Sequence, residues 1–125
     1  MTLMMGVAIM ATHLLSQGGP YPPNGVMAEV KQVDSSWYGR EFQGKRMANG
    51  ERFDRKALTA AHPSIPLGTE IELINPDNGK IVRGVVVKDR GPYVSGRGLD
   101  VSEEVADMLG FREEGHHVLL IRIVW

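Results

Sequence analysis

The segment 75–79 (NPDNG) constrains the fold most, because it is a strong turn signal between two strand-like segments. Its Asn-Gly pair tolerates the positive φ that a tight hairpin requires. Before it, residues 69–74 alternate apolar and polar side chains, as a half-buried strand does. After it, residues 80–88 contain three consecutive valines at 85–87, which are too apolar for a solvated edge. The sequence therefore predicts a β-hairpin in a mainly β domain.

One helix is predicted in this strand-rich chain, over residues 102–109. Ser102 is a favourable N-cap, two glutamates follow it at the positive end of the helix dipole, and Gly110 can close the other end. The polar, Gly-bearing segment 39–55 predicts a long surface loop. Extended structure is favoured by short apolar stretches at 26–38, 57–62 and 117–125. Several short strands with one helix indicate a small barrel or sandwich.

The 125 residues fit a single domain. Segment 16–25 is dense in Gly and Pro and predicts a linker, so we expect the folded domain to occupy residues 26–125. Within residues 1–25, the apolar run 3–11 is far shorter than the roughly 20 residues of a membrane-spanning helix. It is typical of the core of an export signal, although no Lys or Arg precedes it. A buried or mobile N-terminal arm is the alternative.

Charge and composition exclude several kinds of partner and site. The formal net charge is -1 and no run of Lys or Arg concentrates positive charge, so nucleic acid is not expected as a partner. The absence of cysteine excludes disulfides, thiolate nucleophiles, Cys-based zinc sites and an acylated cysteine as membrane anchor. His116 and His117 are adjacent, so on a strand they point to opposite faces and do not share a metal ion. No metal or organic cofactor is expected.

Four residues that can carry chemistry fall at breaks in the strand pattern: Glu51, His62, Asp89 and Asp100. Loops at strand ends commonly hold functional groups. Each residue also has a structural explanation: Glu51 as a solvated loop side chain, His62 as a strand cap, Asp89 as a turn former or ion-pair partner of Arg90, and Asp100 as an organiser of the helix start. Spacing alone leaves both interpretations open.

A set of ordered motifs gives these residues a context. The chain resembles the rare lipoprotein A (RlpA) family in SSWYG (35–39), ANGERFD (48–54), LTAAH (58–62), PLGT (66–69), NG (78–79), DRGP (89–92) and GRGLDVS (96–102). The resemblance runs from Ser35 to the final strand. It implies a six-stranded double-psi β-barrel with one or two short helices, a fold shared with expansins and certain endoglucanases. It also implies a periplasmic or envelope protein that acts on peptidoglycan, in many members as a lytic transglycosylase.

The resemblance assigns site residues one by one. The glutamate of the family's NGE motif falls on Glu51, the histidine of TAAH on His62 and the aspartate of DRGP on Asp89. Asp100 matches the acid of the IDLS-like motif, which lies in the polysaccharide groove of expansin-like relatives. This chain departs from the family in having GLDVS for IIDLS, no cysteine to acylate, and no peptidoglycan-binding repeat domain after the barrel motifs.

The implied reaction breaks the MurNAc–GlcNAc bond of glycan strands without water and leaves 1,6-anhydro ends. One carboxyl group can protonate the leaving oxygen and then accept the proton of the attacking C6 hydroxyl. We assign this acid/base role to Asp89, at a strand end, with Glu51 and His62 binding or polarising the sugar. The reverse assignment, with Glu51 as the acid, stays open.

Further substrate-binding candidates surround these residues: Asp100, Asn49, Arg90, and the aromatic side chains of Trp37, Tyr38 and Tyr93. The aromatic rings are equally compatible with the core. Two other functions fit the same groove. One is a non-catalytic, expansin-like glycan-binding module, and the other is a hydrolase that uses Asp89 and Asp100 with a water. The sequence indicates neither protein partners nor an oligomeric state.

Overall fold

The computed structural model describes residues 30–93 and 97–124. In this part of the chain, six strands close into a barrel in the order β1-β5-β2-β4-β3-β6. Within the described residues, the strands and the α-helix are β1 (Val30–Tyr38), β2 (Thr59–Ala61), β3 (Glu70–Ile74), β4 (Ile81–Asp89), β5 (Leu99–Ser102), α1 (Glu103–Leu109) and β6 (His116–Ile123). The mainly β, six-stranded double-psi barrel expected for this chain is confirmed.

The predicted hairpin and helix are both present. β3 and β4 pair antiparallel across the 75–79 turn, where Gly79 adopts a φ of 77°. The Ser102 hydroxyl accepts a hydrogen bond from the backbone N–H of Val105 and caps α1, and Gly110 ends it in the left-handed conformation. These elements formed where the sequence carries strong local signals.

The barrel interior is filled by the inward-facing residues of all six strands. Its centre includes Ala60, Val87, Leu99 and Val101, none of them exposed. One face of α1 packs against the same cluster. Because side chains alternate along a strand, residues flanking these inward positions face the outside of the barrel.

β5 was not predicted, because its four residues are too short to show a period and its partners are distant in sequence. It pairs parallel with β1 and antiparallel with β2. The two parallel pairs, β1 with β5 and β2 with β4, join the halves of the barrel. Parallel pairing needs long crossover connections, which leave no local sequence signature.

Segment 39–55 is more ordered than the surface loop that was predicted. It begins with a 3-10 turn at Arg40–Phe42 and contains a bridge between Arg46 and Arg52. Met47 and Phe53 within it are buried, and they form a second apolar cluster with Tyr38 and Ala61. The two apolar side chains anchor the loop to the outer face of the barrel.

The signal-like segment and linker predicted at residues 1–25 lie outside the described residues. So do the start of the domain expected at residue 26 and the last residue of the chain. Within residues 30–93 and 97–124, no helix has the length and apolar character needed to cross a membrane.

Candidate active site

A β-bulge in β4 places Asp89 on the outer face of the barrel. Val87 pairs with Ala60, but Asp89, two residues further along, pairs with Ala61, which is only one residue further. The extra residue, Lys88, interrupts the alternation, so Asp89 aligns with Ala61 and not with the inward-facing Val87. Bulges of this kind commonly redirect a side chain beside an active site.

Asp100 lies on the same outer face as Asp89, on the opposite side of Ala61. It pairs with Ala61 across the β2–β5 ladder and with Ser36 across the β1–β5 ladder. Asp89 and Asp100 are thus separated by one strand, which places their Cα atoms roughly 10 Å apart. The small side chain of Ala61 lies between the two carboxyl groups and leaves space above it.

A cleft of about 330 Å³ opens between this outer face and the 39–55 loop. The strands contribute Tyr38, Ala61, Asp89 and Asp100 to its floor. The loop wall consists of Phe42, Lys45, Arg46, Met47 and Phe53, and the far end of the cleft is formed by residues 90–93. Two carboxyl groups therefore face an open groove with apolar and cationic walls.

The Asp89 carboxylate is held by the backbone. Its Oδ1 accepts hydrogen bonds from the N–H groups of Ala48 and Arg90, both at 2.9 Å. All of the hydrogen bonds that the described residues give this side chain fall on Oδ1. The second oxygen, Oδ2, is therefore the one available to a bound molecule.

Asp100 lies in a partly buried environment that changes the pKa of its carboxyl group. Burial raises the pKa of its carboxyl above the ordinary value, and the neighbouring Asp89 adds to this effect. The hydroxyl of Ser36, which donates a hydrogen bond to Oδ1, and the charge of Arg97 act in the opposite direction. The net result is a carboxyl group that retains its proton to higher pH than an exposed aspartate.

Glu51 and Asn49 lie on the loop beside the cleft, outside its lining among the described residues. Glu51 is 58% exposed in its side chain and forms an ion pair with Lys88 at 3.0 Å. Its other carboxylate oxygen accepts a hydrogen bond from Asn49 Nδ2 at 2.7 Å. Because Ala48 in the same turn donates to Asp89, these contacts fix the turn that holds the Asp89 carboxylate.

His62 lies next to Arg90, whose side chain binds the His62 backbone carbonyl. Its Nδ1 accepts hydrogen bonds from the backbone N–H groups of Ser64 and Ile65, at 3.1 and 3.0 Å. Burial and the charge of Arg90 lower the pKa of His62, so the ring is neutral with its proton on Nε2. Arg90 donates to the carbonyl oxygens of His62 and Ile65, at 3.2 and 2.6 Å.

The three aromatic candidates occupy different environments. Tyr93 lines the cleft and is 85% exposed, whereas Tyr38 lines it and is 8% exposed. Trp37 precedes Tyr38 on β1 and faces the other way, so it packs against the barrel interior. Its indole N–H donates to the carbonyl of Arg112 at 3.0 Å. The structure therefore brings Tyr38 and Tyr93 to the cleft and leaves Trp37 away from it.

Comparison with known families shows what kind of domain carries this cleft. A family model described as lytic transglycolase matches residues 30–120, which is most of the chain. The chain belongs to the lytic transglycolase family. The barrel described above is therefore the fold of a lytic transglycolase domain.

Curated relatives of this lytic transglycolase domain carry a common name. It is 42% identical over 109 residues to the endolytic peptidoglycan transglycosylase RlpA of Neisseria meningitidis serogroup B, covering 86% of this chain and 45% of the relative. It is 44% identical over 95 residues to the protein of that name from Pseudomonas aeruginosa PAO1, covering 76% of this chain and 28% of the relative. The chain spans less than half the length of these relatives.

Solved structures agree on the fold. A Streptomyces papain inhibitor superposes with a TM-score of 0.62 at 20% identity, covering 78% of this chain and 96% of that one. An expansin of Clavibacter michiganensis superposes with a TM-score of 0.61 at 24% identity, covering 78% of this chain and 51% of that one. At this level of identity the likeness concerns the barrel alone.

Several cleft residues of this lytic transglycolase domain were not predicted from the sequence. They are Phe42, Lys45 and Arg46 in the loop wall and Ser36 beside Asp100. Phe42 is 41% exposed, its ring contacts the Tyr38 ring edge-on at 5.7 Å, and Lys45 lies 5.3 Å from its centroid. The signal that could have found them is the presence of Phe42, Met47 and Phe53 in an otherwise polar loop.

Proposed function

We propose that this domain is an endolytic lytic transglycosylase that cleaves MurNAc–GlcNAc bonds in peptidoglycan glycan strands and leaves 1,6-anhydro-MurNAc ends. The observation that carries the proposal is the pair of carboxyl groups, Asp89 and Asp100, on either side of Ala61 in an open cleft. The names of the curated relatives supply the substrate class. Acting on peptidoglycan would place the protein in the cell envelope.

The two carboxyl groups differ in the way that this reaction needs. Breaking the glycosidic bond requires a proton donor, and the attack of the MurNAc C6 hydroxyl requires a proton acceptor. Burial favours the protonated form of Asp100, which suits it to the donor role. Asp89 lines the cleft, and two backbone N–H groups fix its Oδ1 while Oδ2 receives no hydrogen bond from the described residues, which suits Asp89 to the acceptor role.

The step balances without water. Asp100 transfers its proton to the glycosidic oxygen as the bond from that oxygen to MurNAc C1 breaks. The C6 oxygen forms a bond to C1, and its proton passes to Asp89. Loss of that proton to solvent and reprotonation of Asp100 restore the starting state. Positioned acid and base groups of this kind contribute typically 10²- to 10⁴-fold each to a rate.

Glu51 and His62 act in this scheme as positioning residues for Asp89. Glu51 and Lys88 hold the turn whose Ala48 N–H binds Asp89 Oδ1. His62 organises the turn to which Arg90 is bound, and the N–H of Arg90 binds the same oxygen. Phe42 and Tyr93, both exposed at the cleft, are suited to stack on sugar rings, and Lys45 and Arg46 add positive charge to the wall.

Digestion of purified glycan strands followed by mass spectrometry tests the proposal. We expect 1,6-anhydro ends from the wild-type domain and a loss of about 10²-fold or more in Asp89→Asn and Asp100→Asn. Asp107→Asn, which removes an exposed carboxylate on α1, is the control and keeps wild-type activity.

Other products would replace the proposal with a different function. Reducing ends would show a hydrolase, and binding without new ends would show a non-catalytic glycan-binding module. Full activity in Asp100→Asn, together with loss of activity in Asp89→Asn, would assign both proton transfers to Asp89 alone. Full activity in both variants would exclude this site as catalytic.

A further inference from the structure

Two cationic side chains in the loop wall of the cleft have no carboxylate partner among the described residues. Lys45 Nζ lies 5.3 Å from the centre of the Phe42 ring, and Arg46 Nη1 donates a hydrogen bond to the Gly50 carbonyl at 2.9 Å. Both cations are exposed and line the cleft. Arg90, which also lines the cleft, is instead held by two backbone carbonyl oxygens. Lys45 and Arg46 can therefore bind an anion that enters the cleft.

The backbone that carries these two cations is fixed to the rest of the loop. The Lys45 carbonyl accepts a hydrogen bond from the Phe53 N–H at 2.7 Å, and the Lys45 N–H donates to the Phe42 carbonyl at 2.9 Å. Met47, which follows Arg46, is buried with Phe53 in the apolar cluster under the loop. Both charges therefore start from a defined place on the wall, which lowers the entropic cost of binding a ligand.

The cleft separates acidic from basic groups. Asp89 and Asp100 lie on its floor, and Lys45 and Arg46 lie on its wall. A ligand carboxylate is attracted by the wall and repelled by an ionised floor, so it binds at the wall and leaves the neutral part of the ligand over the floor. A neutral polysaccharide offers the wall cations no ionic partner. The charge of this cleft therefore complements a glycan that carries carboxylates.

We propose that Lys45 and Arg46 are substrate-binding residues that recognise a carboxylate carried by the MurNAc units of the glycan strand. This inference rests on the proposed function, because it takes a peptidoglycan strand as the occupant of the cleft. MurNAc differs from GlcNAc by a lactyl ether on C3, whose carboxyl group is either free or joined to a stem peptide with carboxylates of its own. Binding that carboxylate at the wall distinguishes the two sugars. It thereby selects which of the two alternating glycosidic bonds lies between Asp89 and Asp100.

The test compares two double variants that remove the same charge. The wall variant combines Lys45→Met with Arg46→Met. The control variant combines Arg40→Met with Lys56→Met, which removes one Arg and one Lys that are exposed and lie outside the cleft lining. Both are made in the Asp89→Asn background, where the proposed mechanism predicts little turnover, so that calorimetry can measure binding.

Three glycans of equal length serve as ligands: peptide-free strands, the same strands with the lactyl carboxyl converted to a methylamide, and strands that keep their stem peptides. We expect the wall variant to bind carboxylate-bearing strands about tenfold more weakly than its Asp89→Asn parent, the effect of two exposed ion pairs. High salt should reduce this loss, because it screens exposed charges. The methylamide strands should bind both proteins equally, and the control variant should match the parent on every ligand.

The two carboxylate sources are separated by the ligands. A loss on the peptide-free strands assigns the recognised carboxylate to the lactyl group. A loss confined to the peptide-bearing strands assigns it to the stem peptide. Either result supports a carboxylate-binding wall.

Three results would overturn the inference. They are equal binding of the carboxylate-bearing strands by the parent and the wall variant, a loss that the methylamide strands share, and a loss that the control variant reproduces. If the Asp89→Asn parent binds these strands but the wild-type domain forms no 1,6-anhydro ends, the proposed function fails and the binding comparison stays valid. A domain that binds none of the strands overturns both.

Discussion

The hydroxyl of Ser36 donates a hydrogen bond to Oδ1 of Asp100, and the same two residues are register partners across the β1–β5 ladder. The backbone pairing therefore fixes the distance at which the side chains meet. A donor on this oxygen stabilises the ionised carboxylate, so Ser36 moderates the rise in pKa that burial imposes on Asp100.

Ser36→Ala should move the alkaline limb of the pH–rate profile to higher pH. In the proposed mechanism, activity needs protonated Asp100, so the rate falls as pH rises through the Asp100 pKa, and removing the donor raises that pKa further. The measurement is kcat/KM for glycan cleavage against pH. Ser35→Ala is the control, since Ser35 bonds to the Val33 carbonyl on the other face of β1. An alkaline limb that does not move in Ser36→Ala would exclude Asp100 as the proton donor.

Glu51→Gln and Lys88→Met should lower activity to a similar extent, because either change breaks the ion pair that holds the 47–51 turn. The pair is exposed, so each variant should lose at most about 1 kcal/mol of unfolding free energy. Steady-state rates and urea denaturation measure the two effects. A much larger rate loss in Glu51→Gln than in Lys88→Met would instead give Glu51 a direct chemical role, as in the alternative assignment.

His117 should make stability depend on pH at a point remote from the cleft. Burial acts to lower its pKa, but hydrogen bonds and charge from Glu114 and Asp77 outweigh burial and raise it. Its contribution is therefore fully present below the unfolded pKa of about 6.5 and is lost as pH rises through the folded pKa. Urea denaturation at acidic and alkaline pH should show a smaller difference in His117→Gln than in the wild type. The exposed neighbour in His116→Gln is the control, and an unchanged difference in His117→Gln would contradict the expectation.

Phe53→Leu should impair activity more than its effect on global stability explains. Phe53 is 2% exposed and anchors the loop wall of the cleft on the outer face of the barrel. Phe111→Leu, the matched change in the barrel interior, should lower the melting temperature but preserve activity at temperatures where the domain is folded. Equal activity losses in the two variants, measured well below both melting temperatures, would contradict a separate role for the loop.

Local sequence signals predicted the elements that depend on neighbouring residues. The hairpin followed from the Asn-Gly turn, and the helix followed from Ser102 and Gly110 at its ends. β5 and its parallel pairing with β1 could not be predicted in this way, because the pairing joins residues more than 60 positions apart. Only the family resemblance supplied the closed barrel.

The candidate site was likewise predicted only in part from the sequence. Motif positions identified Asp89 and Asp100 individually, but the bulge at Lys88 that aligns Asp89 with Ala61 has no signature in residue types. The sequence also could not reveal that Glu51 is paired with Lys88 or that His62 accepts two backbone hydrogen bonds. Both sets of contacts depend on how a loop packs against a strand.

The small apolar cluster under the 39–55 loop divides the domain into two parts, the loop and the barrel, that are expected to unfold separately. Because the cluster of Tyr38, Met47, Phe53 and Ala61 is separate from the barrel interior, we expect the loop to detach while the six strands stay paired. Its amide hydrogens would then exchange with solvent faster than those of β4 and β6. Heat would then disrupt the cleft before it melts the barrel, and refolding of the loop alone would restore the cleft.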